Sequence, residues 1–526
     1  PSSTTPDAAF QFFELRPYGF QQEILDEIDA ERRAGIYRHL VVAATGTGKT
    51  MVAAFDYRRY AAQRSGSSRP SLLFVAHREE ILRQSLATFR QVLRDQGFGG
   101  LLVGGASPGQ SRHLFCSVQS WHARDLSRLH PEHFDYAVLD EAHHASADSY
   151  QAILEHIRPR VLLGLTATPE RTDGRDIRDD FGGRFTHEIR LPDAVDRRLL
   201  SPFHYFGIAD HESINLSHLS WQRGGYQPAD LENVYGANGV RARWVLQQVR
   251  EYVTDMNAMR GLGFCVSQDH ARFMAQKFTQ WGVHSAFLTA ASPKTERLTV
   301  QRDLVDRRIR FIFTVDLYNE GIDIPEVDTI LLLRPTESLT VYLQQLGRGL
   351  RLHDEKPHLT VLDFIAPQNR QFRYADRFRA MSSQPEKRID EQIAAGFAWL
   401  PSGCLVSLDR IAKETVLDNI RQNLGIRRPR LIQELRLCRE QVSGRPSLQR
   451  ILDWFHFDDP DALLRHGVPC RLLEAAGGTP CPDLEPYEKG LERGLRHLAG
   501  FTDVQALASL KARLTEQAPV PLSSLP

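Results

Sequence analysis

Short apolar runs alternate with helical patterns along the chain up to about residue 366. Continuous hydrophobic runs are typical of parallel strands buried on both faces, and a helix between two runs supplies the crossover of a βαβ unit. The alternation occurs twice, so it predicts an α/β fold class with two parallel sheets. The predicted strands are His39–Ala43, Ser71–Ala76, Tyr136–Leu139 and Val161–Leu165 in the first half, and Gly263–Val266, Ser285–Leu288, Arg310–Thr314, Thr329–Leu333 and Leu359–Phe364 in the second.

The pattern changes at two places and so divides the chain. A polar, glycine-rich stretch from about Asp173 to Gly239 is typical of a loop or small insert. After about Pro367 long helical patterns take over, for example Ser407–Leu424 and Arg430–Val442. We expect an α/β domain over residues 1–185, a linker or insert over 186–240, a second α/β domain over 241–366 and a mainly helical region over 367–526.

A glycine-rich loop follows the first predicted strand. Residues 39–50 read HLVVAATGTGKT and lead into the helical pattern MVAAFDYRRYAA. This setting is that of a Walker A loop, in which backbone N–H groups form an anion nest. Lys49 would reach the β- and γ-phosphates and the Thr50 hydroxyl would ligate Mg²⁺. The loop therefore predicts ATP and Mg²⁺ as cofactors, against the alternative of a chance glycine-rich turn; its phosphate-binding residues would be Thr45, Gly46, Thr47, Gly48, Lys49 and Thr50.

Two carboxylates end another predicted strand. Residues 134–145 read FDYAVLDEAHHA, and ligands bind at the carboxyl ends of strands in open α/β sheets. Asp140 would hold Mg²⁺ through water, and Glu141 would orient or deprotonate the attacking water. His143 could couple this site to nucleic acid. The alternative is an acidic cluster that the dipole of a helix N-terminus stabilises.

The order of these and further motifs resembles that of superfamily 2 helicases. The matching segments are LRPYGFQQEIL (15–25, the Q element), VAHREEILRQS (75–85, motif Ia), FCSVQSW (115–121, motif Ic), LTATPERTDG (165–174, motif III), RFIFTVDLYNEGIDIP (310–325, motif V) and YLQQLGRGLR (342–351, motif VI). Ala43 stands where the strict Walker A pattern has glycine, a replacement that is common in this superfamily. The resemblance implies two RecA-like domains with one ATP site in the cleft between them.

Motif VI carries Gln344, Arg348 and Arg351 in the QxxGRxxR spacing. The two arginines are three residues apart on a predicted helix and so would share one face. The resemblance implies that both stabilise the transferring phosphoryl group, as an arginine finger does, when the cleft closes. It also implies nucleotide contacts from Gln21 in the Q element, where two extra residues precede the glutamine, and from the motif V residues Gly321 and Asp323.

The resemblance further implies contacts with the nucleic-acid backbone. Such contacts bind phosphates and carry no base sequence. The candidates are His77, Arg78, Ser117, Gln119, Ser267 and Thr314, and each has an equally weighted alternative as a strand-end cap or turn residue. Thr166 and Thr168 of motif III, with His143, are the candidates for coupling the ATP site to nucleic acid.

Several motif forms favour DNA over RNA as the partner. Motif Ia and motif III resemble those of type III restriction motor subunits and excision-repair helicases. Residues 166–168 read TAT where DEAD-box RNA helicases usually have SAT, and motif VI has QQLG where they usually have HRxG. Residues 399–424 resemble the region after the motor in bacterial helicases that often carry a phospholipase-D-like nuclease, but no HxK nuclease pattern is present. A separate nuclease or defence-system subunit is therefore a candidate partner.

Composition narrows the remaining possibilities. Lys+Arg and Asp+Glu are equal at 65 each, so any basic track for nucleic acid must be local, with IRRPRLIQELRLCRE (426–440) as a candidate that is equally well a solvated amphipathic helix. Six cysteines without a CxxC pair offer no zinc or iron–sulfur site. With no export signal and no apolar run of about 18 residues, we expect a cytoplasmic protein with no membrane partner. The expected function is an ATP-dependent DNA translocase or helicase in bacterial repair or anti-phage defence; the alternatives are an RNA helicase and an ATP-gated nucleic-acid clamp that recruits a nuclease.

Overall fold

The structure is a computed structural model, and it describes most of the chain. The described residues are 15–64, 68–104, 112–124, 126–143, 148–169, 176–222, 225–289, 291–315, 324–369, 371–423, 428–441, 445–455, 461–478 and 480. They fall into two compact units, Pro1–Pro385 with Gln392–Leu417, and Glu386–Glu391 with Asp418–Pro526. The first unit contains both large sheets.

The first sheet has seven strands in the described residues, all parallel, in the order β3-β4-β2-β5-β6-β1-β7. Its strands are β1 (Arg38–Ala43), β2 (Leu72–Ala76), β3 (Gly100–Leu102), β4 (His113–Ser117), β5 (Tyr136–Leu139), β6 (Val161–Thr166) and β7 (His187–Ile189). The helices are α1 (Gly19–Arg33), α2 (Lys49–Ala62), α3 (Glu79–Leu93), α4 (Val118–Ala123), α5 (Asp148–His156) and α6 (Leu191–Asp196), with short 3-10 turns at Leu126–Arg128 and Ile177–Phe181. The central strands β1, β2, β5 and β6 are apolar and buried nearly throughout, because helices cover both faces of a parallel sheet.

The second sheet also has seven described strands, all parallel, in the order β12-β13-β11-β14-β15-β8-β16. Its strands are β8 (Phe203–Ala209), β11 (Gly261–Phe264), β12 (Ser285–Leu288), β13 (Phe311–Thr314), β14 (Thr329–Leu332), β15 (Leu359–Ile365) and β16 (Leu405–Leu408). A separate antiparallel pair is formed by β9 (Trp221–Gln222) and β10 (Gly225–Tyr226). The helices are α7 (Pro228–Tyr235), α8 (Gly239–Tyr252), α9 (Gln268–Gln280), α10 (Lys294–Val305), α11 (Leu339–Gly347), α12 (Tyr374–Met381), α13 (Ile389–Ala394) and α14 (Arg410–Asn423).

The predicted fold class is confirmed, since both sheets are parallel and all nine predicted strands are present. The largest displacement is two residues, for the predicted Gly263–Val266, which is β11 at Gly261–Phe264. In eight of them a short apolar run of buried residues marks the strand, whereas in β12 only Leu288 is fully buried.

Two parts of the expected outline are corrected. The stretch 186–240, expected to be a linker or insert, supplies β7 to the first sheet and β8 to the interior of the second. The predicted helix Ser407–Leu424 begins only at Arg410, because Leu405–Leu408 pairs with β8 as an edge strand. The alternating burial of this short strand leaves Leu405 and Ser407 outside the core, so it has no continuous apolar run to mark it.

The second unit is helical in its described residues. Its elements are α15 (Arg428–Glu440), α16 (Leu448–Phe455), α17 (Asp461–Leu464) and α18 (Pro469–Ala475). Leu431, Leu435 and Cys438 are buried on one face of α15, which packs against α16 and α18. The basic segment considered as a DNA contact is thus an amphipathic helix that packs through its apolar face. No helix in the described parts of either unit is long and apolar enough to span a membrane.

Candidate active site

The loop between β1 and α2 has the backbone of an anion cradle. Gly46 and Gly48 have φ values of 96° and 82°, a region that glycine adopts without a steric penalty. Gly48 is the N-cap of α2, so the free N–H groups of the first helical turn face the loop. The Lys49 Nζ donates to the Ala43 carbonyl at 3.3 Å, which keeps the ammonium inside the loop. The buried hydroxyl of Thr45 has no hydrogen-bond partner in the described chain. These features fit a triphosphate.

Gln21 ties the start of α1 to this loop. Its Oε1 accepts from the Tyr18 N–H at 3.1 Å, and its Nε2 donates to the Thr47 carbonyl at 3.3 Å. The side chain is buried, and a Cβ on Gly48 would lie 2.9 Å from its Nε2. Gln21 therefore packs directly on the phosphate loop. Its predicted contact with adenine stays a prediction.

The carboxylates Asp140 and Glu141 follow β5 at the same sheet edge as the loop. Asp140 is nearly buried, at 6% exposure, and its Oδ1 accepts from the Glu141 N–H at 3.0 Å. Glu141 has a φ of 50°, which is strained for a residue with a side chain and is a conformation that clusters at functional sites.

The donor set suits magnesium. The Asp140 carboxylate and the Thr50 hydroxyl could both offer oxygen atoms to a metal ion, and Mg²⁺ usually takes one or two carboxylates together with phosphate oxygens and water. Among the described residues, no group of three or more His, Cys, Asp or Glu could hold a metal ion. The oxygen atoms of Asp140 and Thr50 fit an ion that is shared with bound phosphate.

The three predicted coupling residues form one hydrogen-bonded group. The His143 Nδ1 lies 3.3 Å from the Glu141 Oε2 and 3.2 Å from the Thr166 Oγ1. The Thr166 hydroxyl donates to the Thr168 carbonyl at 2.9 Å and accepts from the Thr168 N–H at 3.1 Å. Thr166 and Thr168 thus lie close to Glu141, the predicted base, and their coupling role stays a prediction.

Motif VI of the second sheet packs against the phosphate loop of the first. A Cβ on Gly347 would lie 2.7 Å from both Cβ and Cγ2 of Thr45, so only glycine allows this approach. A Cβ on Gly46 would lie 3.6 Å from the Arg351 Cγ, which places that arginine along the loop. Burial lowers the pKa of the Arg351 guanidinium. The cleft is therefore closed over the predicted ATP site.

The predicted helix through both arginines ends early. α11 stops at Gly347 with Arg348 as its C-cap, and Arg351 lies beyond the helix. The chain turns at Gly349, which packs closely on β15, since a Cβ there would lie 2.3 Å from the Leu359 Cδ1. The buried Lys356 fixes the turn by donating to the Gly349 carbonyl at 2.9 Å, and burial lowers the pKa of this ammonium to about 8.

The backbone at Arg351 is held by Ser201, which lies between α6 and β8. The Ser201 Oγ donates to the Arg351 carbonyl at 3.0 Å, and the Ser201 N–H donates to the Leu350 carbonyl at 2.7 Å. Gln344 is buried on α11 and Arg348 is half-buried at its end. The roles predicted for Gln344, Arg348 and Arg351 remain predictions. The structure shows these residues in a closed cleft.

The six nucleic-acid candidates are placed unequally. Ser117 and Ser267 are N-caps of α4 and α9, which is the structural alternative considered for them. Thr314 is fully buried, and its hydroxyl has no partner among the described residues. His77 and Gln119 are exposed at the ends of adjacent strands, with 3.4 Å between the His77 Nδ1 and the Gln119 Nε2.

Arg78 is the half-buried residue before α3. The pair His77 and Gln119, with Arg78, is therefore the best-placed part of the predicted nucleic-acid surface. Gly321 and Asp323 of motif V lie outside the described residues, as do residues 170–174 of motif III.

Sequence reasoning missed Thr340. Its hydroxyl lies 2.8 Å from that of Thr168, and it joins motif III of the first sheet to α11 of the second. Thr340 precedes Gln344 by four residues and Arg348 by eight, a spacing that places all three on one helix face. This spacing is the signal that could have identified it.

Two family models match the chain. Residues 12–171 match the type III restriction enzyme res subunit, and residues 244–353 match the helicase conserved C-terminal domain. The two matched segments contain the phosphate loop, the acidic pair and motif VI.

Individual relatives agree with these matches. A protein of Saccharomyces cerevisiae, whose name provisionally assigns it to the ATP-dependent helicases, is 26% identical over 363 residues, which are 67% of this chain and 51% of that protein. A 51.5 kDa protein of a Lactococcus phage is 26% identical over 322 residues, 61% of this chain and 64% of the phage protein. The chain thus spans about half to two thirds of the length of these relatives.

A solved structure shares the fold. The ATP-dependent Type ISP restriction-modification enzyme LlaBIII, bound to DNA, superposes with a TM-score of 0.56 at 14% identity. The superposition covers 96% of this chain and 42% of that enzyme. At this identity the likeness concerns the fold.

Proposed function

We propose that this chain is a helicase of the superfamily 2 type, a nucleic-acid-dependent ATPase that moves along or unwinds DNA in bacterial DNA repair or anti-phage defence. The packing of Gly347 and Arg351 against the phosphate loop carries this proposal. It brings residues of the second sheet to the place where the first sheet would hold the triphosphate. Hydrolysis there is thereby tied to the relative position of the two sheets.

Each residue of the site has a chemical role. The first-turn N–H groups of α2 and the Lys49 ammonium would bind the phosphates, and Asp140 with Thr50 would hold magnesium. The bound ion supplies positive charge to the phosphate oxygens as the bond to the leaving group breaks. Glu141 would take the proton of the attacking water, and His143 orients that carboxylate from 3.3 Å.

The arginines of the second sheet complete the site only when the cleft is closed. Arg351, already partly stripped of water beside the loop, would stabilise the charge on the transferring phosphoryl group. Release of the inorganic phosphate after hydrolysis would remove that charge from the site, weaken the contact and allow the cleft to open. Repeated closing and opening, with nucleic acid bound across both sheets, would produce directed movement.

DNA is proposed over RNA on two grounds. The motif III and motif VI forms differ from those usual in DEAD-box RNA helicases, and the motif Ia form resembles that of type III restriction motor subunits and excision-repair helicases. The family model matched by residues 12–171 is that of a restriction enzyme subunit. A nuclease or another defence subunit as partner belongs to the same proposal, because restriction systems join a motor to a nuclease.

The proposal is tested by the ATPase rate without polymer and with single-stranded DNA, duplex DNA or RNA. Glu141→Gln serves as the blank, since it removes the presumed base and keeps the shape of the side chain. Stimulation by DNA and not by RNA is expected. Stimulation by RNA alone would replace DNA with RNA in the proposal, and no stimulation by any polymer would overturn the motor.

A roadblock assay separates a motor from a clamp. On DNA that carries a tightly bound protein, a translocase displaces the block in an ATP-dependent way. An ATP-gated clamp would stay bound, hydrolyse ATP slowly and leave the block in place, and this outcome would favour recruitment of a nuclease over movement.

A further inference from the structure

A continuous set of polar contacts runs from the presumed base to the second sheet. It starts at the Glu141 carboxylate and passes through His143 to Thr166 of β6. Thr166 contacts Thr168 through two hydrogen bonds of 2.9 and 3.1 Å. The Thr168 hydroxyl then meets the Thr340 hydroxyl at 2.8 Å, across the cleft.

The directions of these bonds follow from the donors. The Thr166 hydroxyl donates its one proton to the Thr168 carbonyl. In its contact with His143 the Thr166 oxygen must therefore accept, which requires a proton on the imidazole Nδ1. That N–H lies within reach of both the Thr166 Oγ1 and the Glu141 Oε2. A change at Glu141 during hydrolysis would therefore alter the hydrogen bonding of Thr166 and its neighbour.

The contact between Thr168 and Thr340 connects the first sheet to helix α11, which carries motif VI. Thr340 is the second residue of α11, and Gln344 lies one turn further along the same face. Gly347, at the end of this helix, touches Thr45 of the phosphate loop. A shift or rotation of α11 by a fraction of a turn would therefore move Gly347 and Arg348 relative to the loop.

We propose that Thr340 is a positioning residue, whose hydroxyl pair with Thr168 holds α11 in the register that presents the motif VI arginines to the nucleotide. This inference rests on the proposed function and deepens it. Thr168 follows β6 of the first sheet, and Thr340 lies on α11, between β14 and β15 of the second. The pair therefore exists only when the cleft is closed. The set of contacts from Glu141 to Thr340 would then transmit the state of the hydrolysis centre to the moving sheet.

The test compares Thr340→Val, Thr340→Ser and Thr168→Val in the full chain. Valine keeps the shape and removes the hydroxyl, whereas serine keeps the hydroxyl and removes the methyl group. A hydroxyl pair contributes about 0.5–1.5 kcal/mol, so Thr340→Val is expected to lower the stimulated kcat by about two- to tenfold with little change in KM for ATP. Thr340→Ser should retain a kcat near that of the wild type.

A double variant separates the pair from two unrelated effects. If the hydroxyls act on each other, Thr168→Val with Thr340→Val should be no slower than the slower single variant. Thr299→Val, on the exposed face of α10, is the matched control and should behave as wild type. A wild-type kcat in Thr340→Val, an equal loss in Thr340→Ser, or multiplied losses in the double variant would each overturn the assignment.

Failure of the proposed motor gives a different result. If no polymer stimulates the wild-type ATPase, the proposed motor function is wrong. The effect of the pair Thr168 and Thr340 can still be measured on the basal kcat. The same two- to tenfold deficit in Thr340→Val and its rescue in Thr340→Ser are expected there. If the basal rate shows neither the deficit nor the rescue, the positioning role of Thr340 is overturned independently of the motor function.

Discussion

At the scale of single residues, two contacts of motif VI with the phosphate loop define the cleft. Gly347 touches Thr45, and Arg351 lies along Gly46. The contact of Gly347 determines how closely the two sheets approach each other. The contact of Arg351 determines which charge lies beside the nucleotide when the cleft is closed. Shape and charge at this contact can therefore be varied separately.

Gly347→Ala tests the shape of the contact. The added methyl carbon would lie 2.7 Å from two carbon atoms of Thr45, so α11 must lift away from the loop. Overpacking of this kind costs about 1–3 kcal/mol, and we expect the stimulated kcat to fall by about ten- to a hundredfold. The control is Gly239→Ala, which has no heavy atom within 4 Å of the added carbon. An unchanged kcat in Gly347→Ala would show that hydrolysis does not need this approach.

Arg351→Ala tests the charge. If Arg351 acts as an arginine finger, ATP turnover should fall by on the order of a thousandfold while ATP binding, measured separately, changes little. Arg351→Lys should not restore the rate, because an ammonium lacks the planar fork of the guanidinium. Arg272→Ala, at an exposed arginine of α9 paired with Asp269, is the control. Full stimulated turnover in Arg351→Ala would remove motif VI from the proposed chemistry.

The sequence predicted much of this site because its motifs are local. Asp140 and Glu141 lie directly after the apolar strand β5, and Lys49 ends the glycine-rich loop that follows β1, so their roles can be predicted from the sequence context. The pair Thr168 and Thr340 could not be predicted in the same way, since only the closed cleft brings these distant positions together. The end of α11 was also missed, because it depends on tertiary contacts of Gly349 with Leu359 and Lys356 that the spacing of motif VI does not contain.

At the scale of elements, the second sheet depends on a strand that comes from the connecting stretch. β8 lies between β15 and β16, and it pairs with both in parallel. Gly207 in β8 allows β15 and β16 to pack closely on it. The apolar runs of β13 and β15 were sufficient to predict those strands, whereas β8, interrupted by His204 and Gly207, lies in a glycine-rich polar stretch that favours a loop.

Gly207→Ala should destabilise the second sheet. The added carbon would lie 2.2 Å from the Leu408 Cδ2 and 2.8 Å from the Ile365 Cδ1, both in neighbouring strands. We expect a loss of about 1–3 kcal/mol in the free energy of unfolding, measured as a lower urea midpoint than in Gly239→Ala. A midpoint equal to that of the control would mean that the edge strand β16 can move away from the added carbon without a loss of stability.

His270 in α9 gives this part of the molecule a pH dependence. Burial, and then the charge of Arg241, lower the pKa of the imidazole to about 3 from the ordinary 6.5. Between these two values the unfolded chain binds a proton that the folded chain does not. The resulting stability is complete above pH 6.5 and is lost as the pH falls towards 3.

The expected loss is about 1 kcal/mol between pH 6.5 and pH 5.5, measured as the free energy of unfolding. His270→Asn should be less stable at neutral pH and should lack this part of the pH dependence. His284→Asn, at an exposed histidine, should keep it. Equal slopes in the wild type and His270→Asn would show that His270 does not titrate as its burial requires.

At the scale of the whole molecule, ATP should control whether the cleft is closed. Glu141→Gln keeps the phosphate loop and magnesium ligands, so it should bind ATP and stay closed on DNA. Lys49→Ala loses the ammonium that binds the phosphates and should not respond to ATP. Small-angle X-ray scattering with ATP and Mg²⁺ should show a smaller radius of gyration for Glu141→Gln and none of this change for Lys49→Ala. Identical scattering from both variants would contradict ATP-driven closure.

The position of β8 also governs the order in which the chain can fold as it leaves the ribosome. The central strands of the first sheet are complete once Thr166 has emerged, and β7 closes its edge soon afterwards. β8 emerges next but must wait for β15 and then for β16, which ends at Leu408. During this interval an apolar strand without partners is exposed, which is the condition under which nascent chains aggregate. Slow synthesis across this interval therefore prolongs a need for chaperones that the first sheet does not share.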